Sequence, residues 1–350
     1  MDMVFIYIIL EDLWLILLML WQVILLLPQA LLDLVALAFL GVVPGGALGV
    51  SRHAIFSSVI FLEYLLPILY DEQLFDIPIY TYKSELHRKN RSFDLKNYKS
   101  FFNIVELSFG KFSELKNSIR LSDNTTAIFL DWNKEFLDET ANFFSVYVQP
   151  ALLPMYRGYG AITEQFLRGV SVSGITFYLP SDITDAGDIL YQKEIRIDFE
   201  DYPEDFIRKV CGEVLSTIKT IDLSKCKRFS QRQELSFSLG RIRKRDAIID
   251  FRTDALSVYN HIRGFSRPFF GAFCYYEGER IVIWRGKPER WQGVYGEPGE
   301  ILKITDDGTE VACGNGTVIL TEMENSVDIK KSFVFNKYAN VFETLEIKIS

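Results

Sequence analysis

Histidine is nearly absent from this chain, with only His53, His87 and His261 in its 350 residues. Few side chains are therefore left whose ordinary pKa lies near neutrality. Cysteine is just as sparse. Cys211, Cys226, Cys274 and Cys313 stand far apart and form no Cys-x-x-Cys pair. A disulfide scaffold and a zinc ribbon are excluded, and reduced structural thiols in a cytoplasmic protein are expected, with no metal site. No basic residue precedes Arg52, so a secretory signal with a positive leading segment is a poor match. The glycines of Pro44-Gly45-Gly46-Ala47-Leu48-Gly49 do not make a Gly-x-Gly-x-x-Gly fingerprint, which removes the main support for a dinucleotide-dependent oxidoreductase. A formal net charge of -8 argues against broad binding to nucleic acid, which needs a basic face.

The length suits two packed domains. The first forty residues are the anomaly. From Leu13 to Leu27 every residue but Gln22 is apolar, and Val4 to Leu10 is apolar too, with Glu11 and Asp12 between the runs. A spanning helix needs about 20 apolar residues, and a carboxylate near the bilayer centre costs about 2.5–3.5 kcal/mol. Three readings stay open: membrane association through residues 3–27, an amphipathic helix packed on protein, or an extension foreign to the working protein. Val35 to Gly41 then reads as a buried strand, the glycines as a loop, and Ser51 as the cap of a helix reaching about Leu65. That order opens a doubly wound α/β domain.

Ile77-Pro78-Ile79-Tyr80, Thr126 to Leu130 and Phe143 to Val148 look like further strands, the last delivering the chain to Gln149. Residues 83–124 read as polar and irregular, and the basic group Lys83, His87, Arg88, Lys89 and Arg91 as a solvated face. Leu256 to Arg263 reads as a helix capped by Thr253 and ended by Gly264. Beyond it, Glu277-Gly278, Asp307-Gly308 and Asn315-Gly316 mark hairpins, which predicts a small β-barrel. The tail from Ser332 carries no assignment.

The most specific words lie mid-chain: Gln149-Pro150-Ala151-Leu152-Leu153-Pro154-Met155-Tyr156-Arg157-Gly158, then Ser173 to Leu179 as a strand, then Asp182-Ile183-Thr184-Asp185-Ala186-Gly187-Asp188-Ile189-Leu190. This order resembles the folate-dependent formyltransferases, the group with methionyl-tRNA formyltransferase and the sugar N-formyltransferases. Arg243-Lys244-Arg245-Asp246, Val258 to Gly264, Pro268 to Phe273 and Gly296 to Ile301 resemble the oligonucleotide-binding-type C-terminal domain of that family.

The resemblance implies an α/β fold, a doubly wound and mostly parallel sheet of the formyltransferase type, followed by a small OB-like barrel. It divides the chain into an extension at 1–33, a catalytic-type domain at 34–222, a linker at 223–245, a C-terminal domain at 246–325 and a tail at 326–350. It also implies transfer of a formyl group from 10-formyltetrahydrofolate, the co-substrate, to an amine on a sugar or on methionyl-tRNA. The net charge disfavours the tRNA. Leu153, Pro154, Tyr156, Arg157, Gly158, Thr176 and Asp188 are the implied folate-binding residues. The catalytic positions fall on Asp185, Gln149 and Tyr147, where the family carries Asp, His and Asn. Gln149 cannot hold a proton at neutral pH, and Tyr147 donates one hydrogen bond where the Asn amide offers two. A non-catalytic, folate- or substrate-binding member is accordingly the alternative.

Overall fold

The computed structural model describes residues 52–82, 93–107, 121, 124–132, 143–240, 242–324 and 329–336. The hydrophobic run at 3–27, the expected strand at 35–41, the glycine loop and the basic group at 83–91 lie outside these residues. Among the described residues no helix is long and apolar enough to cross a membrane.

Seven strands form the first sheet: β1 (His53–Ser58), β2 (Ile79–Tyr82), β3 (Ile104–Leu107), β4 (Thr126–Leu130), β5 (Phe144–Gln149), β6 (Val172–Tyr178) and β7 (Ile189–Arg196). Their order is β3-β2-β1-β4-β5-β6-β7, parallel from β3 to β5 and antiparallel at β6, so the sheet is mixed. The chain winds outward from β1 in one direction and then restarts at β4 in the other. The crevice between the carboxyl ends of β1 and β4 is therefore the switch point of the sheet, the usual ligand position in such folds.

The helix expected from Ser51 is instead β1 followed by helix α1 (Val59–Asp71), with Ser58 as N-cap. Residues 54–58 are buried on both faces because β1 is central, and an apolar run without alternation does not separate strand from helix. This moves His53 to the amino end of β1, opposite Thr126, and so to the sheet edge away from Gln149. Strand β3 falls in a stretch that reads as irregular. Ile104 and Val105 are only half-buried there, at the rim of the sheet, which weakens the hydrophobic signal.

One face of the sheet is aliphatic. Ile55, Ile79, Ile128, Val146 and Ile175 pack beneath α1 and helix α3 (Pro203–Thr220), whose stripe Phe206, Ile207, Val210, Cys211, Val214 and Ile218 has helical spacing. Helix α2 (Ala161–Leu167) precedes β6. The other face is aromatic. Tyr80, Phe56, Phe129, Tyr147 and Tyr178 are register partners on five adjacent strands. Their rings run across the sheet with centroids 4.6, 4.5, 4.8 and 5.8 Å apart, the Phe129–Tyr147 pair tilted by only 5°.

Helix α4 (Ala255–Phe265) is capped by Asp254, whose Oδ1 accepts from Ser257 N at 3.0 Å, not by Thr253, and Gly264 lies inside it. It packs on strands β8 (Ala272–Tyr276), β9 (Glu279–Arg290), β10 (Ile301–Thr305), β11 (Gly308–Ala312) and β12 (Thr317–Glu324), with the three expected hairpin turns in place. The order β10-β11-β12-β9-β8 is antiparallel, and β8 and β10 remain its edges among the described residues, so the expected barrel is an open sheet. The tail runs across both edges instead. Ile301 N donates to Phe333 O at 2.8 Å, and Asn336 N donates to Tyr275 O at 2.8 Å.

The aromatic row predicts a large loss on truncation. Phe129→Ala should cost about 3–5 kcal/mol of unfolding free energy, the usual range for emptying a buried aromatic site. Urea unfolding followed by near- and far-ultraviolet dichroism measures it, and a loss below about 1 kcal/mol would show that the row carries little of the stability.

Candidate functional site

Gln149 is the last residue of β5 and is paired with Thr176 of β6. Its side chain is buried, and Nε2 donates to Tyr156 O at 2.8 Å and to Gly158 O at 3.3 Å. Both amide protons are thus committed to the loop that follows. Thr176 secures the same loop from the neighbouring strand. Its hydroxyl donates to Ala151 O at 2.6 Å and accepts from Leu153 N at 3.1 Å. Gln192 Nε2 on β7 donates to that hydroxyl and to Leu153 O, each at 2.8 Å. The Leu153–Pro154 bond held between them is cis, and the Leu153 side chain joins the aromatic layer.

Asp185 meets the loop from the other side. Its Oδ2 accepts from Gly158 N at 2.7 Å and its Oδ1 accepts from Tyr178 OH at 2.6 Å. Burial, and then the Asp185 charge, push the Tyr178 hydroxyl well above its ordinary pKa, so it stays protonated and keeps donating. Gly158 is therefore the joint. Its carbonyl answers Gln149, its N–H answers Asp185, and its φ of +94° suits glycine. A Cβ at Gly187 would lie 1.7 Å from Leu179 O, so the Asp185–Asp188 turn needs that glycine for its close approach to β6.

Arg157 turns away from the sheet edge. It is 3% exposed and donates through Nε and an Nη to Gln231 Oε1, at 3.0 and 2.5 Å, and through the other Nη to Gln233 Oε1 at 2.8 Å. Gln231 Nε2 in turn donates to Asp185 O at 2.8 Å and Gly187 O at 2.7 Å. Asp188 accepts from Ser230 Oγ at 2.9 Å, and Tyr156 packs edge-on against Phe237 at 4.8 Å. Residues 230–239 thus brace both halves of the site. Nothing in a run such as Ser230-Gln231-Arg232-Gln233 marks it from sequence, because neutral amides carry no periodicity. Tyr178 is a second residue that the sequence leaves unmarked, apart from its place in the strand.

Tyr147 lies one row below Gln149, stacked in the aromatic row, where an asparagine would leave a gap. Gln149, Gly158, Asp185 and Tyr178 come together at the carboxyl edge, and Tyr156 reaches them through its carbonyl. Arg157 and Asp188 are directed to the brace.

Two family models match the chain, that of the formyl transferase domain over residues 133–214 and that of the formyl transferase C-terminal domain over residues 241–335. The chain belongs to the formyltransferase family. It is 32% identical over 184 residues to methionyl-tRNA formyltransferase of Syntrophus aciditrophicus (strain SB), covering 51% of this chain and 58% of that one. It thus spans somewhat over half the length of that curated relative. Among solved structures, its fold is similar to that of the sugar 3N-formyl transferase WlaRD, crystallised in the presence of dTDP and 5-N-formyl-THF. The match has 16% identity, covers 79% of this chain and 99% of that one, and has a TM-score of 0.55. The N-formyltransferase of Helicobacter canadensis, in complex with folinic acid and dTDP-3-aminofucose, has 15% identity, coverage of 77% and 98%, and a TM-score of 0.51.

The brace can be tested without substrate. Gln231→Ala should leave the buried Arg157 guanidinium short of partners and cost about 1–3 kcal/mol, the usual penalty for an unsatisfied buried group. Gln231→Glu, which keeps the acceptor, should recover part of it, and thermal unfolding of the three chains reads both effects. Equal losses for Ala and Glu would argue that Gln231 acts by packing alone.

Proposed function

We propose that this chain transfers a formyl group from 10-formyltetrahydrofolate to the amine of a small acceptor, an amino sugar carried on a nucleotide. The observation that carries this reading is the Gln149–Gly158–Asp185 joint at the carboxyl edge of the sheet. It supplies a fixed carboxylate beside an ordered loop at the position where ligands of such sheets collect. The net charge favours an amino sugar over methionyl-tRNA as acceptor.

The residues present suit the folate. Met155 and Tyr159 of the loop are exposed, and Tyr159 lies close enough to Tyr82 and Tyr178 to raise both hydroxyls, so an aromatic and apolar wall adjoins the carboxylate. Leu153, Pro154, Tyr156 and Gly158 would shape that wall through the backbone. Thr176 keeps Leu153 and Pro154 in place, while Arg157 and Asp188 tie the loop and the turn to the brace. When bound, the folate supplies an activated formyl carbon. Asp185 would orient the acceptor amine and offset the positive charge that builds on its nitrogen. Gln149 would fix the loop and Tyr147 the sheet beneath it. In this assignment 34–222 is the catalytic-type region, 223–245 its brace, and 246–325 the C-terminal domain.

The second reading is a folate-binding member without catalysis. It is favoured by the commitment of both Gln149 amide protons to backbone carbonyls, which leaves position 149 no part in proton transfer.

Calorimetric titration with a stable 10-formyl folate analogue, followed by formamide formation from dTDP-3-aminofucose and from initiator methionyl-tRNA, separates these readings. The expected outcome is micromolar-range binding and transfer to the sugar, with Asp185→Asn lowering transfer by about 10²-fold or more. Binding without any formamide would select the second reading. Absence of binding would remove both.

A further inference from the structure

The transfer reading leaves one step without an owner. The attacking amine must lose a proton, position 149 cannot take it, and His53 sits at the opposite edge of the sheet. The register names what lies beside Gln149. Leu130 of β4 is paired with Ser57 of β1 and with Val148 of β5. The residues that follow these three are Asp131, Ser58 and Gln149, so Asp131 is the first residue beyond β4, at the switch point of the sheet. Neighbouring strands run about 5 Å apart, and Gln149 is joined to Asp185 through Gly158 alone.

We propose that Asp131 is the catalytic base of this site, taking the proton from the attacking amine in place of the histidine that the family carries at position 149. The proposal rests on the transfer reading above. In the step, the amine lone pair forms a bond to the formyl carbon, and the bond from that carbon to N10 of the folate breaks with its electron pair left on N10. The proton shed by the amine passes to the Asp131 carboxylate and is returned to N10. Formamide and tetrahydrofolate are the products, and Asp131 ends ionised as it began.

Three features of the surroundings suit this role. Asp131 has a φ of +50°, which turns the chain out of the strand, and although the residue as a whole is exposed its Oδ2 is bonded to the buried Ser58 hydroxyl. Its Oδ2 accepts from Ser58 Oγ at 2.5 Å, while its backbone carbonyl accepts from Tyr82 OH at 3.1 Å. Among the described residues, the groups bonded to it are thus Ser58 at the end of β1 and Tyr82 of β2, and the end of the next strand, β5, carries the neutral Gln149. Tyr82 is pushed far up by burial, and next by Asp131 itself, so it stays neutral. Desolvation lifts the Asp131 carboxyl to about 6, against the Ser58 bond, which favours the ionised form. A base whose pKa lies just under neutrality is ionised at working pH and still basic enough to accept a proton. Asp185, held by a backbone N–H and by Tyr178, keeps the orienting role.

The test is the pH profile of formamide formation from 10-formyltetrahydrofolate and dTDP-3-aminofucose or initiator methionyl-tRNA. The base must be ionised, so kcat/KM of the parent should be low at pH 5, rise through about 6 and level off above 7. Asp131→Asn, which keeps an acceptor for Ser58, should lose about 10²–10⁴-fold in kcat and flatten that limb. Affinity for the folate analogue should stay within about threefold, below 1 kcal/mol. Ser58→Ala should shift the limb to higher pH, since it removes the bond that favours the carboxylate, and it probes the same group if Asp131→Asn folds poorly. Parental kcat and an unmoved limb in Asp131→Asn, or an unmoved limb in Ser58→Ala, would overturn the assignment while leaving the transfer reading intact. A parent that makes no formamide overturns that reading itself and the role of Asp131 with it.

Discussion

Five aromatic rings lying across five strands constrain this protein more than any other single feature. Tyr80, Phe56, Phe129, Tyr147 and Tyr178 are consecutive register partners, so the three inner rings are each held between two others. Aromatic pairs at these separations contribute about 0.5–1.5 kcal/mol beyond their buried area. Trp132 closes edge-on over Phe56, with centroids 5.4 Å apart. Cores of this density resist changes of volume. Ser58, Asp131 and Gln149 each follow a ring of that floor by two residues, nearer the carboxyl edge.

The floor explains why position 147 is a tyrosine here. An asparagine amide is small and polar, and between Phe129 and Tyr178 it would leave both a gap and an unpaired group in an aromatic layer. The same change bears on position 149. A side chain that donates twice to the loop fixes the Tyr156 and Gly158 carbonyls without titrating itself.

The brace from residues 230–239 couples the site to the C-terminal region. Gln231 contacts Arg157, Asp185 and Gly187 at once, and Leu239 N donates to Arg157 O at 2.7 Å. Further along, Tyr202 at the start of α3 donates to Gly286 O of β9 at 3.0 Å, and Tyr259 of α4 donates to Phe199 O at 2.8 Å. The catalytic-type sheet and the open C-terminal sheet are thus tied at several points.

Much of this was legible in the sequence, and the limits have physical causes. Strands β4, β5 and β6 could be read from their apolar runs and the hairpins from Glu277-Gly278, Asp307-Gly308 and Asn315-Gly316, because each of these signals is local, whereas the Gln149–Gly158 loop and its Asp185 turn stood out through their resemblance to the formyltransferases. β1 was misread as a helix, because a strand buried on both faces carries no alternation. The C-terminal antiparallel sheet is barrel-like as expected but not closed, and closure could not be read because it depends on pairing between strands far apart in the chain. Gln231 and Asp131 carried no signal at all, being single polar residues whose meaning comes from what lies across the sheet or the linker. Local order is written in neighbouring residues, and sequence alone determined it. Which strand ends meet at the carboxyl edge is set by register between distant strands, and only the tertiary structure decided that.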